Sequence, residues 1–314
     1  MHIAQTNTAK KLRFGYKTSH PKRSFFHASK IKTLFAACLI AGSGVAVAAE
    51  RIVDLGSQRE ISREALVASL KQGEFILLGE LHDNPAHHAD RAWLLEKLAA
   101  ARPVIVAEHL ERGRSAAGEG ELLPTLESAG FDARNWRWPL HRPLFEAARQ
   151  SARALVGGNI ERQTARAIVK EKASALPADI AVAIAAAPLT ENARQTLEQD
   201  LLDNHCGQIP ASLIPGLSLA QRARDAAMAL ALEAAVKDGT PALLLAGNGH
   251  VRRDYGVPVL LDALASARKT IAVGFLESDK TFELHDAALK ARYDFIWITD
   301  PATREDPCLN FPKR

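Results

Sequence analysis

The chain has 314 residues, with 40 lysines and arginines against 36 aspartates and glutamates, for a formal net charge of +4. Eight of the cations lie in residues 1–32, which contain no acidic residue, so the remainder carries 32 basic and 36 acidic side chains, or −4. The positive balance therefore belongs to the N-terminal segment and excludes a nucleic-acid-binding surface. An apolar content of 47% excludes a disordered chain.

Residues 1–49 have the features of a secretory signal peptide. Their basic stretch is followed by the apolar segment LFAACLIAGSGVAVAA, which ends in small residues that suit cleavage. This segment is shorter than the roughly 18–20 apolar residues of a spanning helix, and an uncleaved membrane anchor is the alternative. Lipid anchoring at Cys38 is disfavoured because Phe35 stands where an aliphatic residue is expected. We predict an exported, periplasmic protein with one domain at 50–314.

Six apolar segments predict strands: Phe75–Leu78, Val104–Ala107, Leu155–Val156, Ala242–Ala246, Ile271–Phe275 and Phe295–Ile298. Most are continuous apolar runs, as expected of strands that are buried on both faces of a parallel sheet. Helices are predicted between them at 86–100 and 218–237, the second with Ser218 as its N-cap. This order predicts an α/β fold with a mostly parallel, doubly wound sheet. The stretch 161–237 has no convincing strand and is predicted to be a helical insertion subdomain.

Polar side chains follow four of the predicted strands. Glu80 and His82 follow the first strand, Glu108 the second, Arg162 the third and His250 the fourth. Because ligands of doubly wound sheets bind at the carboxyl ends of the strands, these side chains predict a binding or catalytic site at one edge. Each has a structural alternative, in which it forms a hydrogen bond to a backbone group of a neighbouring loop.

The residues around these strand ends carry further local signals. Asn84 and Pro85 predict a helix start, with Asn84 as the N-cap and proline in the first turn. His87 and His88 then lie in that turn, and at most one is expected to face the pocket. His109 lies one position after a predicted site residue, so in extended chain it points the other way, and we predict a structural role for it.

Glu80, His82, Glu108 and His250 could converge as a nitrogen–oxygen ligand set for a divalent metal. In a hydrolase, Glu80 or Glu108 would act as general base, while His82 and His250 would bind metal or stabilise an oxyanion. The chain has neither an HExxH motif nor a G-x-S-x-G motif, which disfavours a zincin protease and an ordinary serine hydrolase.

Tyr255 lies beside Arg252 and Arg253 in the segment HVRRDYGVP. Tyrosinate can be an axial ligand of ferric haem, and arginines pair with the haem propionates. The alternative is that Tyr255 packs as an amphipathic residue at a loop.

Two cysteines, Cys206 and Cys308, follow the predicted leader. In an exported protein they can close a disulfide that ties residue 206 to the C-terminal tail. The alternative is a pair of buried thiols, and spacing alone does not decide between them.

Several segments resemble the ChaN-like haem-binding family: FILLGELHDNPAHH, VIVAEHLERG, VGGNIERQTAR, NHCGQIP, LAQRARDAAMA and LLLAGNGHVRRDYGVPVLL. They follow one another in the family's order from about residue 51 to 276. The wider superfamily also contains erythromycin-esterase-like and Tiki-type metalloprotease members. The resemblance implies a sheet core with a helical subdomain, and haem at an interface between two subunits with tyrosine as the iron ligand.

On this resemblance, Tyr255 matches the iron ligand, and the other residues expected at the haem are Arg252, Arg253, His250, His82 and Arg162. We therefore expect a non-enzymatic periplasmic haem-binding protein of iron acquisition, forming a homodimer, with an outer-membrane haem receptor or transporter as partner. The alternative is a metal-dependent hydrolase or protease that uses the Glu/His cluster at the strand ends. A third alternative is an inactive scaffold that binds another small ligand.

Overall fold

The computed structural model describes residues 50–236, 240–265, 267–278 and 287–310, and the predicted signal peptide lies outside these ranges. Within them one sheet contains β1 (Arg51–Asp54), β2 (Arg59–Ile61), β3 (Phe75–Leu78), β4 (Val104–Glu111), β5 (Ala154–Asn159), β6 (Ala242–Leu245), β7 (Thr270–Glu277) and β8 (Phe295–Thr299). Its strand order is β2-β1-β8-β7-β3-β6-β4-β5. Neighbours from β8 to β5 pair in parallel, whereas β1 pairs antiparallel with both β8 and β2.

The predicted fold class is confirmed, and each of the six predicted strands is present. Strands β1 and β2 were not predicted. Their sequences, RIVD and REI, mix polar and apolar residues because they lie at the antiparallel edge of the sheet and are only partly buried. In β1 only Ile52 and Val53 are buried, and β2 has no buried residue, so neither strand contains the continuous apolar run by which the parallel strands were recognised.

The helices lie on both faces of the sheet. They are α1 (Arg63–Leu70), α2 (Pro85–Leu98), α3 (Leu122–Ser128), α4 (Trp138–Ser151), α5 (Arg162–Glu171), α6 (Ala178–Ala186), α7 (Glu191–Asn204), α8 (Ile214–Ala235), α9 (Val257–Leu264) and α10 (Ala287–Arg292). Short 3₁₀ turns occupy Ala99–Ala101, Lys172–Ala175, Ala211–Leu213 and Pro307–Asn310. Among the described helices, none is both long and apolar enough to cross a membrane.

Side-chain alternation along the central strands separates two buried cores. Leu77 of β3 and Leu244 of β6 lie in a core on one face that also contains residues of α5, α6, α8, α9 and α10. Leu78 of β3 and Leu245 of β6 pack with helices α1 to α4 on the other. A residue just beyond a strand end therefore meets one set of helices or the other according to its position in this alternation.

Between β5 and β6, the described residues form the helices α5 to α8 and no strand. The N-cap predicted for the helix at 218–237 is wrong, because α8 begins at Ile214 and Ser218 is buried within it. Leu213 occupies the N-cap position, and Pro215 sits in the first turn, where its missing N–H costs no hydrogen bond. The 3₁₀ turn directly before Ile214 leads the chain into the helix without a polar cap.

Cys206 and Cys308 form a disulfide, which decides between the two alternatives that their spacing left open. Their Cα atoms are 5.6 Å apart across a sequence separation of 102 residues. The bond ties the residues just after α7 to the C-terminal 3₁₀ turn. It therefore holds the end of α7 against a segment that has little other regular structure.

Candidate functional site at the carboxyl ends of the strands

Glu80 lies at the centre of a group of basic side chains just beyond β3. Its carboxylate is fully buried and forms an ion pair with the guanidinium of Arg91. His88 Nε2 lies 3.2 Å from Oε2 of the same carboxylate. Three more nitrogens approach Oε1: His82 Nδ1 at 2.6 Å, His109 Nε2 at 3.2 Å and His141 Nε2 at 3.5 Å. Arg91 compensates a charge whose burial would otherwise be strongly unfavourable.

The start of α2 positions two members of this group. As predicted, Asn84 caps the helix, accepting a hydrogen bond of 2.8 Å from a first-turn N–H, and Pro85 follows it. His88 and Arg91 are three residues apart, so both face Glu80. His87 points elsewhere, with Nε2 3.0 Å from a threonine hydroxyl. Of the two adjacent histidines, only one reaches the group, as the sequence indicates.

His109 is placed differently from its predicted position outside the site. Strand alternation does direct it to the face opposite Glu108, but that is the face on which Glu80 lies. His141 joins from α4, which the strand-end argument does not reach. Burial lowers the pKa of both imidazoles far below the usual range, and it lowers the pKa of His88 to about 4. These histidines are therefore neutral and keep a free lone pair.

A second charged group lies on the other face of the sheet edge. His250 stands between two carboxylates, with Nδ1 2.6 Å from Asp225 Oδ1 and Nε2 3.4 Å from Glu108 Oε1. Asp225 belongs to α8, and the other oxygen of Glu108 accepts a hydrogen bond of 2.7 Å from the backbone N–H of Gly247. This row of carboxylate, imidazole and carboxylate is almost entirely buried.

The charges of this second group are strongly coupled. Burial opposes protonation of His250, but the two carboxylates raise its pKa to about 10. Burial alone would raise the pKa of Glu108, yet the charge of His250 holds it well below its usual range. Burial raises the pKa of Asp225. Near neutral pH, His250 is therefore an imidazolium that neutralises the buried carboxylate of Glu108.

His82 joins the two groups. Its Nδ1 contacts Glu80, and its Nε2 lies 3.9 Å from Glu108 Oε2. The imidazole passes so close to Gly247 that a Cβ there would lie 2.8 Å from Nε2, so any larger residue would displace the His82 side chain. With 43% of its side chain exposed, His82 is the member of the first group that faces the solvent side. The structure thus brings together the four strand-end residues that the sequence predicts.

A cavity of about 670 Å³ opens over this edge, within the range of ~300–1,000 Å³ usual for small-molecule sites. Its polar lining includes His82, Glu108, Asp200, Asn204, His205, Gln221, His250 and Tyr255. Its apolar lining comes from helices α5, α7 and α8: Ala165, Val169, Leu197, Leu201, Leu217 and Ala220. Three arginines complete the wall: Arg162, Arg166 and Arg224. The cavity therefore combines apolar side chains with three arginines.

Tyr255 lines this cavity but is only 3% exposed. Its hydroxyl donates a hydrogen bond of 2.8 Å to Asp200 Oδ2, and burial raises the pKa of the phenol well above its ordinary value. The guanidinium of Arg252 stacks on the ring at 4.2 Å and pairs with Asp200 and Asp254. Tyr255 is thus a protonated phenol held between an arginine and an aspartate.

The predicted arginines are divided among three places. Arg162 lines the cavity, 3.4 Å from Asp132. Arg252 lies behind Tyr255 and is fully paired. Arg253 is not brought to the site, because it pairs at 2.9 Å with Asp294, which directly precedes β8 at the opposite end of the sheet.

Helices supply five residues of these groups and of the cavity that were not predicted from the strand ends: Arg91, His141, Arg166, Asp225 and Arg224. One signal was present in the segment LAQRARDAAMA, where charged residues interrupt an alanine-rich helix that is otherwise buried. A buried charge in such a helix requires a partner, which for Asp225 is His250. His141 has no comparable local signal.

The chain belongs to the family described as haem-binding uptake, Tiki superfamily, ChaN, whose model matches residues 66–261. Its fold is similar to that of a solved structure described as cofacial heme binding to ChaN of Campylobacter jejuni. The TM-score is 0.63 at 20% sequence identity, and the match covers 80% of this chain and 97% of the other. At this identity the structural likeness establishes the fold. No curated protein matches the chain significantly.

Replacing His250 with glutamine should lower the free energy of unfolding by about 3–5 kcal/mol at pH 7, because two buried carboxylates lose their cation. The folded pKa of about 10 lies above the unfolded value near 6.5, so this stabilisation is complete below pH 6.5 and disappears as the pH rises through 10. Urea unfolding of both proteins from pH 6 to pH 10.5 measures the difference.

The matched control is the double variant His250→Gln with Asp225→Asn. It removes one of the two carboxylates that His250→Gln leaves without a cation, and it should recover part of the lost stability. A difference between wild type and His250→Gln that stays constant over the whole pH range would contradict a protonated His250.

Proposed function

We propose that this protein binds haem in the cavity at the carboxyl ends of the strands. The observation that carries the proposal is the lining of that cavity, where apolar side chains and arginines meet in one space of about 670 Å³. Haem combines a flat apolar macrocycle with two carboxylates and an iron ion, so it needs these surfaces together. Membership of the haem-binding uptake family supports the same ligand.

The propionates would pair with arginines of the cavity wall. Arg162 is 58% exposed, and its ion pair with Asp132 is a loose one of 3.4 Å, so its guanidinium can reach a ligand. Among the described residues, Arg224 makes one weak hydrogen bond, 3.4 Å from the side-chain oxygen of Asn159. Arginine binds carboxylates in a bidentate manner, so these two side chains, together with Arg166, suit both propionates. Arg252 is less suited, because Asp200 and Asp254 already occupy its guanidinium.

Tyr255 is the proposed iron ligand because, of the two tyrosines in the described ranges, it is the one that lines the cavity. Ligation requires the phenolate, and the hydroxyl now donates its hydrogen to Asp200. Asp200 would accept this proton when the phenolate forms, and the guanidinium of Arg252 on the ring would stabilise the resulting negative charge. A protein that holds haem in this way would carry or store it, without a reaction at the Glu/His cluster of the strand ends.

We further propose that the protein acts in the periplasm in haem and iron acquisition, as a homodimer with haem at the subunit interface. The leader-like residues 1–49 support export. A cavity that is open to solvent on one side would leave part of a bound haem exposed, and a symmetric second subunit would cover it. An outer-membrane haem receptor or transporter is the proposed exchange partner.

A metal-dependent hydrolase is the second candidate, and the group around Glu80 favours it. Glu80, His82, His109 and His141 each offer a ligand atom, and these atoms all lie within 4.8 Å of one another. The imidazoles of His109 and His141 are neutral, and neither ring nitrogen of His141 has a hydrogen-bond partner in the described ranges. Nitrogen and oxygen donors of this kind fit zinc. The metal would act as a Lewis acid, and Glu108, across His82, would be the general base.

Haemin titrated into the purified protein should give a saturable change in the Soret band. Tyr255→Phe should shift the position of that band, because the phenolate ligand is removed. Tyr293→Phe is the matched control, since Tyr293 is also buried but its hydroxyl contacts the backbone oxygen of Asn248. A Tyr255→Phe spectrum identical to wild type would rule out this ligand, and a molar mass unchanged by haemin in light scattering would oppose a haem-bridged dimer.

Zinc added to the haem-free protein and then dialysed should leave a single bound ion, measured by elemental analysis. His141→Gln should lose it, because a ligand is removed from the group around Glu80. His87→Gln is the control, a buried histidine in the neighbouring helix that lies outside the group. Retention of zinc by His141→Gln, or its absence from wild type, would count against the metal site.

Export is tested by expressing the full chain in a Gram-negative host and sequencing the N-terminus of the protein recovered from the periplasm. The expected first residue lies close to Glu50, where the small-residue end of the leader stops. Recovery of the chain only in the cytoplasm or the membrane, with residues 1–49 still attached, would contradict export and cleavage.

A further inference from the structure

Helix α7 forms one wall of the cavity, but little of it is packed into the fold. With its C-cap residue it supplies to the lining Leu197, Asp200, Leu201, Asn204 and His205. Of the 14 residues of α7, only Ala193 and Leu197 are buried. With Tyr255 they form a small cluster apart from the two cores of the sheet. A helix with so few buried apolar contacts opens locally at low cost, so its position depends on what holds its ends.

The C-terminal end of α7 is held by the disulfide between Cys206 and Cys308. Cys206 is the second residue after the helix, and Cys308 lies in the 3₁₀ turn near the C-terminus. Cys308 is exposed and Cys206 is half-buried, so a small reductant can reach the bond. Exposed disulfides are the ones that are most often labile or regulatory.

The C-terminal segment that carries Cys308 is itself attached to the sheet. The guanidinium of Arg304 lies 2.8 Å from Glu277, the last residue of β7, and 2.9 Å from Asp83 in the loop before α2. The backbone N–H of Ala302 donates a hydrogen bond of 2.9 Å to the same glutamate. The disulfide therefore connects the weakly packed wall of the cavity to the edge of the central sheet.

We propose that the disulfide between Cys206 and Cys308 is a redox latch on the cavity. While the bond is intact it fixes the end of α7, and reduction by an external dithiol frees that end and speeds release of the ligand. In this step two thiols of the reductant are oxidised to a disulfide, while Cys206 and Cys308 take up two electrons and two protons and become thiols.

The latch regulates the site of the proposed function, and the inference rests on that function because it takes haem as the ligand. Asp200 belongs to the wall that reduction frees, and it also accepts the hydrogen bond of the Tyr255 hydroxyl. Movement of α7 would therefore disturb the surroundings of the proposed iron ligand together with the apolar wall.

The first measurement needs no haem. Hydrogen–deuterium exchange is followed by mass spectrometry before and after reduction with dithiothreitol, in a chain carrying Cys38→Ser so that the third cysteine takes no part. Reduction should speed exchange in α7 and leave the central strands β3 and β6 unchanged. Equal exchange of α7 in both states would overturn the latch. Faster exchange throughout the protein would also overturn it, since the bond would then stabilise the whole fold.

Variants test the same point without a reductant. The double variant Cys206→Ser with Cys308→Ser should show the fast exchange of the reduced protein. Arg304→Gln keeps the disulfide but detaches the C-terminal segment from the sheet, so it should also speed exchange in α7. The matched control is Arg268→Gln, which removes a similarly exposed ion pair of 2.8 Å with Glu74 at the other end of the sheet. An equal effect of the two arginine variants would contradict the role of the C-terminal segment.

The second measurement follows the transfer of haem from the loaded protein to excess apomyoglobin through the Soret band. Dithiothreitol is removed before haemin is added, so that it cannot bind the iron. The reduced protein and the double serine variant should release haem about tenfold faster than the oxidised protein, and reoxidation of the reduced protein should restore the slow rate.

The two measurements separate this inference from the proposed function. If wild type binds no haemin, the proposed function fails, while the exchange data still decide whether reduction frees α7. If haemin binds and the transfer rate is the same in oxidised and reduced protein, the latch is overturned and haem binding stands.

Discussion

The buried carboxylate of Glu80 is the constraint on which the rest of the site depends. An uncompensated charge at this depth would cost several kcal/mol, so the fold must bring a cation to it. Arg91 meets that need, and it can do so only because α2 begins immediately after β3, at Asn84 and Pro85. The short distance from strand to helix then brings His88 to the same carboxylate. The local start of one helix thereby places two members of the group, His88 and Arg91.

A second consequence is that the two charged groups occupy opposite faces of one sheet edge. On the side of α2 and α4, Glu80 and Arg91 neutralise each other and the surrounding histidines are neutral. On the side of α8, His250 is held protonated between its carboxylates. His82 lies between the groups and is the exposed link. The proposed metal site therefore belongs to the first face, while the cavity proposed to bind haem lies over the second.

The cavity depends on the helices inserted between β5 and β6. These helices supply its apolar wall, its arginines and part of its polar lining, whereas the strand ends supply His82, Glu108 and His250. The disulfide of Cys206 fixes the end of α7, which carries His205 and Asp200, against the C-terminal turn. Haem binding at this place would therefore use the part of the chain that distinguishes it from a plain doubly wound sheet.

Local patterns predict the parallel strands because burial on both faces leaves continuous apolar runs, and they predict the start of α2 because its cap is built from adjacent residues. They miss β1 and β2, whose short sequences mix polar and apolar residues and have no such run. They also misplace the start of α8, because burial of Ser218 within the helix is decided by packing against the sheet and not by capping preference. For the same reason Glu80 and His250, which follow strands, were predicted as site residues. His141 and Asp225, which lie within helices, were not.

By itself, the sequence determined the α/β class, the edge of the sheet that carries the site, and the convergence of Glu80, His82, Glu108 and His250. The carboxyl ends of all parallel strands lie at one edge of the sheet, so this prediction needs neither the strand order nor the side-chain packing. Only the tertiary structure decided which partners reach those residues, which arginines face the cavity and whether Cys206 and Cys308 form a disulfide. Those outcomes depend on how the helices pack across the sheet, and residues far apart in the chain meet there without any local signal.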